Sequence, residues 1–165
     1  MKDNDSTNLR KELPSSRDKR VISLNKKAFH DYEIFNKYET GIVLVGTEVK
    51  SLRGQKANIQ DAYAKVKDLE IWLVNSHIPV YKYGNITNHE PLRERKLLLH
   101  RNEIKKISTK LKDKGYTLIP LKLYFTGQKV KVELGLARGK RLYDKREAIK
   151  REEIKRRLKR IRESN

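Results

Sequence analysis

The chain changes character at Arg138. The residues up to Ala137 read as a buried strand, whereas beyond it apolar residues almost vanish and Lys and Arg crowd in. Between Arg138 and Asn165 there are thirteen Lys or Arg against five Asp or Glu, more positive charge than a solvated helix face needs. Only the part before this break can build a core, and the part after it calls for a polyanion. Among the few aliphatic residues of the tail are Ile149, Ile154, Leu158 and Ile161, the last three spaced as one narrow helical stripe. Full burial of such a residue contributes about 1.5–3 kcal/mol, while ordering each residue costs about 1–2 kcal/mol. The tail is therefore expected to be disordered when unbound and to become helical once phosphates neutralise it.

The net charge of +19 over 165 residues points to nucleic acid or an anionic surface as partner. Residues 1–20 and the tail account for only part of it, so the body should itself carry a phosphate-binding face. With no cysteine, disulfides, thiolate metal sites and thiol catalysis are excluded. The histidines at 30, 77, 89 and 100 have none of the short spacings of a zinc site, and no cofactor is expected. No apolar run approaches a membrane span and the N-terminus lacks a signal peptide's apolar core, so a cytoplasmic location is expected.

Three regions follow: a disordered lead-in over 1–20, a folded body over 21–137, and the basic tail over 138–165. In the body, a strand is expected from Ala28 to Tyr38, a turn at Glu39-Thr40-Gly41, and a doubly buried strand over GIVLV at 41–45. Val49 and Leu52 in GTEVKSLRGQ predict a short helix, with several of Glu48, Lys50 and Arg53 facing outward. Residues 59–75 read as a hairpin turning near Asp68, with Trp72 in the core. The stretch after it, carrying Pro79 and a Gly84-Asn85 turn, reads as a loop or edge strand whose Tyr81 and Tyr83 could stack on bases or be half-buried strand residues. Arg93, Arg95 and Lys96 read as a cationic cluster on a loop or helix start. Leu97, Ile104, Ile107 and Leu111 share one helical face, and a last hairpin turns at Thr126-Gly127-Gln128. The pattern is mainly β with short helices, fitting a small antiparallel β-barrel of the oligonucleotide-binding type.

The residues also resemble a known family, the SsrA-binding proteins, also called tmRNA-binding protein or small protein B. The likeness runs in order through Leu24-Asn25-Lys26, Glu39-Thr40-Gly41, Gly46 to Arg53, Lys56-Ala57-Asn58-Ile59, Arg95 to Leu99, Gly115-Tyr116-Thr117, Gly139-Lys140 and Asp144-Lys145-Arg146. It implies an oligonucleotide-binding-type barrel with a basic tail, acting in trans-translation, the rescue of ribosomes stalled on messages without a usable stop codon. It implies that the barrel binds the tRNA-like domain of tmRNA, promotes its alanylation and accompanies it to the ribosome with elongation factor Tu. That factor and alanyl-tRNA synthetase would be met indirectly through tmRNA, by a monomer that is not itself an enzyme.

By the same resemblance, Asn25, Lys26, Glu39, Glu48, Lys50, Arg53, Asn58, Arg95, Lys96 and Leu98 lie on or support the RNA-facing surface. The tail would fill the empty decoding site and message channel of the small subunit. There Gly139 would act as a flexible junction, with Lys140, Arg141, Tyr143, Asp144, Lys145 and Arg146 near the decoding bases. Lys150, Arg151, Lys155 and Arg156 would lie on a helix lining the channel. Many relatives have His where this chain has Tyr143, which keeps a planar ring but no imidazolium. The residues alone also admit a structural ribosomal protein, or a nuclease using Glu48, Asp61 and Asp144 together.

Overall fold

The computed structural model describes residues 19–54, 57–84 and 87–163. The expected lead-in therefore lies outside the described residues except for Lys19 and Arg20, which open the first strand; Asn85 also lies outside them. Among the described residues, seven strands and four helices follow in order: β1 Lys19–Leu24, α1 Lys26–Asp31, β2 Tyr32–Ile42, α2 Gly46–Gly54, β3 Tyr63–Lys67, β4 Glu70–Val74, β5 Arg95–Leu98, α3 Arg101–Leu111, β6 Tyr116–Thr126, β7 Lys129–Gly139 and α4 Leu142–Glu163. The antiparallel strands run in the order β6-β3-β4-β5-β2-β7, and β7 pairs back onto β6 to close a barrel. Closure pairs the two ends of this ribbon with each other, while β1 joins it along β6.

Strand β6 serves three neighbours. Its Lys122–Thr126 half pairs with β1, Leu118 pairs with β3, and its other edge pairs with β7 along nearly its whole length. The β6–β7 register shifts between Pro120 and Lys122, making Leu121 an extra residue. Simple alternation would put 121 and 123 on one face, and the bulge separates them. Leu118, Leu123 and Phe125 join the barrel interior with Ile71, Leu73, Leu97, Val132, Leu134 and Leu136. Ile119 and Leu121 instead form a second small core with Ala28 of α1 and Ala137. The β2–β7 register shifts at Phe35, so Ile34 packs with the second core and Tyr38 and Ile42 with the first. Bulges on both neighbours of β7 add the coiling that closure requires.

The structure departs from the sequence expectations at several places. Ala28–Asp31 is helical because the Asn25 side chain caps α1, its Oδ1 accepting from the Ala28 N–H at 3.0 Å. Strand β2 runs through Glu39-Thr40-Gly41 without a turn, and GIVLV is no separate strand: only Gly41 and Ile42 pair, while Val43 and Val45 lie exposed in the connection to α2. The leucines after Arg95 fit no helical face because Arg95–Leu98 is a strand, with Arg95 and Leu97 inward and Leu98 outward. Leu97 thus belongs to β5, and α3 buries Ile104 and Ile107. Trp72 is half-buried on the outer face, since its strand neighbours Ile71 and Leu73 take the inner positions.

The two hairpins and α2 stand where the sequence put them. The β3–β4 turn carries Asp68 and Leu69 at φ of 53° and 58°, the primed geometry that matches strand twist. Among the described residues, no helix is long and apolar enough to cross a membrane.

Gly135 of β7 lies under Leu121. A Cβ there would come within 3.0–3.3 Å of three Leu121 carbons, and Leu121 is itself fully buried. Gly135→Ala is expected to destabilise the protein by about 1–3 kcal/mol, read as a lower urea midpoint with unchanged slope. An unchanged midpoint would mean that the second core yields freely.

Candidate nucleic-acid interface

The residues singled out from the sequence divide into a buried set and an exposed set. Glu48, on the first turn of α2, is fully buried. Its Oε1 accepts from Arg93 Nε at 2.9 Å and Arg95 Nε at 2.8 Å, and its Oε2 from Arg93 Nη2 at 2.7 Å and the Val45 N–H at 2.9 Å. Burial alone would raise the carboxyl's pKa. The Arg93 and Val45 hydrogen bonds and the charge of Arg95 outweigh it, and the group is held below its ordinary value. Arg95 is fully buried too, and its Nη atoms donate to Ser76 O and Oγ, Arg93 O and Pro91 O. Within the expected cationic cluster, Arg93 and Arg95 thus form with Glu48 a clasp that ties α2, the segment around Ser76 and Pro91, and β5 together. Lys50 and Arg53 do face outward, as expected of that helix.

Asn25 is likewise buried. Besides capping α1 it donates through Nδ2 to Pro120 O at 2.9 Å and Ile59 O at 3.2 Å, spending its polar atoms on the fold. Lys26 and Asn58 are exposed, and Asn58 Oδ1 accepts from the Gln60 N–H at 2.9 Å. Arg20, not anticipated from the sequence, donates to Arg53 O at 3.2 Å and Leu52 O at 3.3 Å at the C-terminal end of α2, and stacks over Phe125. Arg20 and Arg53 flank a shallow groove beside the β6–β7 turn at Gly127 and Gln128.

On the outer sheet face, Gly41 pairs with Leu98 on one side and Lys131 on the other. A Cβ on Gly41 would lie 3.3 Å from Leu98 Cβ, so the bare glycine lets Leu98, half exposed, lie over β2. Two residues back, Glu39 accepts from Lys131, Tyr124 and Lys19. The hydrogen bonds from Lys131, then Tyr124, then Lys19 lower its pKa to about 2. Burial, and then the adjoining Glu39, push the Tyr124 phenol up. Lys96, half-buried two residues before Leu98, pairs with Glu70. The fold therefore gathers Glu39, Leu98 and Lys96 on one face with Lys19, Tyr124 and Lys131. The alternation of Lys129, Lys131 and Glu133 signals an outward row, but which strand they would meet is not written locally.

The tail begins at the end of β7, where Gly139 pairs with Tyr32. Its contact with the barrel runs through α1: the Lys140 N–H donates to Asp31 O at 2.9 Å, Lys140 Nζ to Phe29 O at 3.1 Å, and Lys145 Nζ lies 3.5 Å from the Asp31 carboxylate. The His30 hydrogen bond, followed by the charge of Lys145, holds Asp31 below its usual range. Arg141, Arg146, Lys150, Arg151, Lys155 and Arg156 are exposed; Arg151 and Arg156 make i,i+4 pairs with Glu147 and Glu152. The side chains of Tyr143 and Asp144 lie outside the described ones. Glu48 and Asp61 are engaged separately, the latter with Lys27 at 3.1 Å, and among the described residues no three His, Asp or Glu are placed to hold a metal ion.

A closed antiparallel barrel with outward cations and a basic helix at its end defines a small barrel of the oligonucleotide-binding type. Residues 22–164 match the model of the SmpB protein family. The SsrA-binding protein of Syntrophobacter fumaroxidans is 57% identical over 92% of this chain and 95% of its own. That of Fervidobacterium nodosum is 59% identical over 85% and 95% respectively. A solved chain described as "tmRNA-SmpB: a journey to the center of the bacterial ribosome" is 47% identical, with a TM-score of 0.63 over 78% of this chain and 94% of its own. The chain belongs to the SmpB, or SsrA-binding, protein family.

Two outcomes test the division into buried and exposed residues. Glu48→Ala strands Arg95 without its counter-charge and is expected to cost about 3–5 kcal/mol of stability, measured by thermal unfolding; a change below about 1 kcal/mol would place Glu48 at the surface. Glu39 acts through pH. Its folded pKa is depressed from 4.5 to about 2, so its contribution is present above the unfolded value and is lost as pH falls from about 5 to 2. Because the side chain is 43% exposed the amount is about 1 kcal/mol or less. Glu39→Gln is expected to flatten the acid limb of the stability curve in that window, and an unaltered limb would contradict the network.

Proposed function

We propose that this chain is an RNA-binding adaptor of trans-translation that binds the tRNA-like domain of tmRNA, promotes its alanylation and brings it, with elongation factor Tu, to stalled ribosomes in the cytoplasm. The observation that carries the reading is the family membership over nearly the whole chain, together with the name and setting of its relatives. The geometry supports it by separating a charge-satisfied interior from an outer surface rich in unburied cations.

In this reading Lys26, Lys50, Arg53 and Lys96 meet phosphates, which fix orientation but carry no sequence information. Leu98 packs on an unstacked base. Glu39 arranges Lys19 and Lys131 rather than opposing the RNA. A carboxylate has about four acceptor positions, so beside its three partners it can accept once more, from a 2′-hydroxyl. Asn25, Glu48 and Arg95 act from beneath by holding α1, α2 and β5 in place.

The tail is the second half of the device. Ile154, Leu158 and Ile161 on α4 are each more than half exposed, so the helix gains little from packing on the barrel. A helix so highly charged and so little buried frays in the free protein and is stabilised when its Lys and Arg neutralise phosphates. Placed in a decoding site without a codon, Lys140 to Arg146 would contact the decoding bases, and Lys150, Arg151, Lys155 and Arg156 the message channel beyond.

A titration of the full chain and of a chain cut after Gly139 against the tRNA-like domain and an ordinary tRNA, at near-physiological salt, tests both halves. The full chain is expected to prefer the tRNA-like domain by at least tenfold, with the gap surviving added salt. The shortened chain keeps all seven strands and is expected to retain that affinity while losing ribosome rescue. Equal binding to both RNAs would reduce the interaction to charge and favour a structural ribosomal protein. Loss of affinity on truncation would overturn the two-part assignment.

A further inference from the structure

The loop after β4 holds an aromatic group that the reading above leaves unused. Tyr83 is 76% exposed, the most open of the large apolar side chains described. Tyr81 meets it edge-on, with centroids 5.8 Å apart and planes at 69°, so a face of the Tyr83 ring remains in solvent. Lys82 Nζ lies 5.9 Å from the Tyr83 centroid and Lys50 Nζ, from α2, 5.8 Å from that of Tyr81. From Pro79 to Gly84 the loop has no acidic residue.

An exposed ring on a slack loop would mean little, but this loop is fastened. Asn88 spans it in both directions, Oδ1 accepting from the Tyr81 N–H at 3.2 Å and Nδ2 donating to Tyr81 O at 2.8 Å. The Gly84 N–H donates to the same carbonyl at 2.9 Å. A Cβ on Gly84 would come within 2.5 Å of Asn88 Nδ2, so the clamp and a side chain at 84 exclude each other. Buried His89 anchors the return, its ring nitrogens 3.1 Å from Ile78 O and 3.0 Å from Thr47 Oγ1. Thr47 lies in the first turn of α2, so the clamp fixes the two tyrosines relative to Lys50.

We propose that Tyr83, supported edge-on by Tyr81, is a stacking platform for one unpaired base of a bound RNA, with Lys82 and Lys50 taking the adjoining phosphates. This deepens the RNA-binding reading and rests on it. The chemistry selects this ligand: a flat exposed ring matches the π-face that every base offers, and the flanking cations match a phosphate backbone. An apolar peptide would offer neither ammonium group a counter-charge. A stack of this kind adds affinity without strong base preference, so it complements the phosphate contacts of α2 instead of duplicating them.

The test uses the full chain and the tRNA-like domain of tmRNA. Tyr83→Ala should weaken binding roughly five- to a hundred-and-fifty-fold with an unchanged salt slope, because no charge is lost. Tyr83→Phe should bind like the parent. Lys82→Ala should weaken binding less and lower the salt slope by about one contact. Y83W supplies a direct readout: the chain's one native tryptophan, Trp72, sits on β4, so RNA-dependent quenching beyond that of the parent reports stacking on the new indole. Binding by Tyr83→Ala within twofold of the parent overturns the proposal, including the case where that variant fails only on ribosomes, which would assign the ring to a partner there. A parent that does not prefer the tRNA-like domain over ordinary tRNA instead overturns the underlying reading, so the two failures are distinguishable. The position is open to solvent, and an unchanged melting temperature confirms that each variant folds.

Discussion

Everything in this fold depends on β6 changing face once. With Leu121 inserted, the first half of the strand offers Leu118 to the barrel and Ile119 to α1, and the second half offers Leu123 and Phe125 inward and Tyr124 outward. Without that extra residue one half would be the wrong way round, because a one-residue slip sends every side chain to the opposite face. The displaced Leu121 needs room, and Gly135 across the ladder provides it. One bulge and one glycine thus let a single strand close the barrel, seat α1 and turn Tyr124 toward Glu39.

Charge is sorted by the same construction. A carboxylate shut inside with two guanidinium groups and a backbone N–H is satisfied and unavailable; the lysines left on the outer sheet face and α2 are available. The distinction matters more than the net charge of +19, since a basic chain can bind any polyanion while only an arranged surface can prefer one. Glu39 belongs to the arrangement: it spaces Lys19 and Lys131 and holds the Tyr124 hydroxyl, three groups from three different strands.

Local pattern was enough wherever the structure is local. Val49 and Leu52 announced α2, alternation announced the β3–β4 and β6–β7 hairpins, and Ile104 with Ile107 announced α3. It failed where a distant partner decides. Glu48 and Arg95 lie 47 residues apart and look like ordinary surface charges until the barrel brings them together. Trp72 looked like core by size, but its neighbours hold the inner positions. Gly41 looked like a turn because glycine usually marks one, whereas here it makes way for Leu98.

The sequence by itself determined the class of molecule: a β-rich body of about a hundred residues, a cationic tail beginning near Arg138, and the collinear residues of a known family. These are matters of composition, short-range periodicity and order along the chain, which need no partner in space. Only the tertiary structure decided which charges are interior and which are offered to solvent, and which side chains share the outer face. Those outcomes turn on bulge positions and on pairings between residues dozens of positions apart, and the chain expresses them only when the barrel closes.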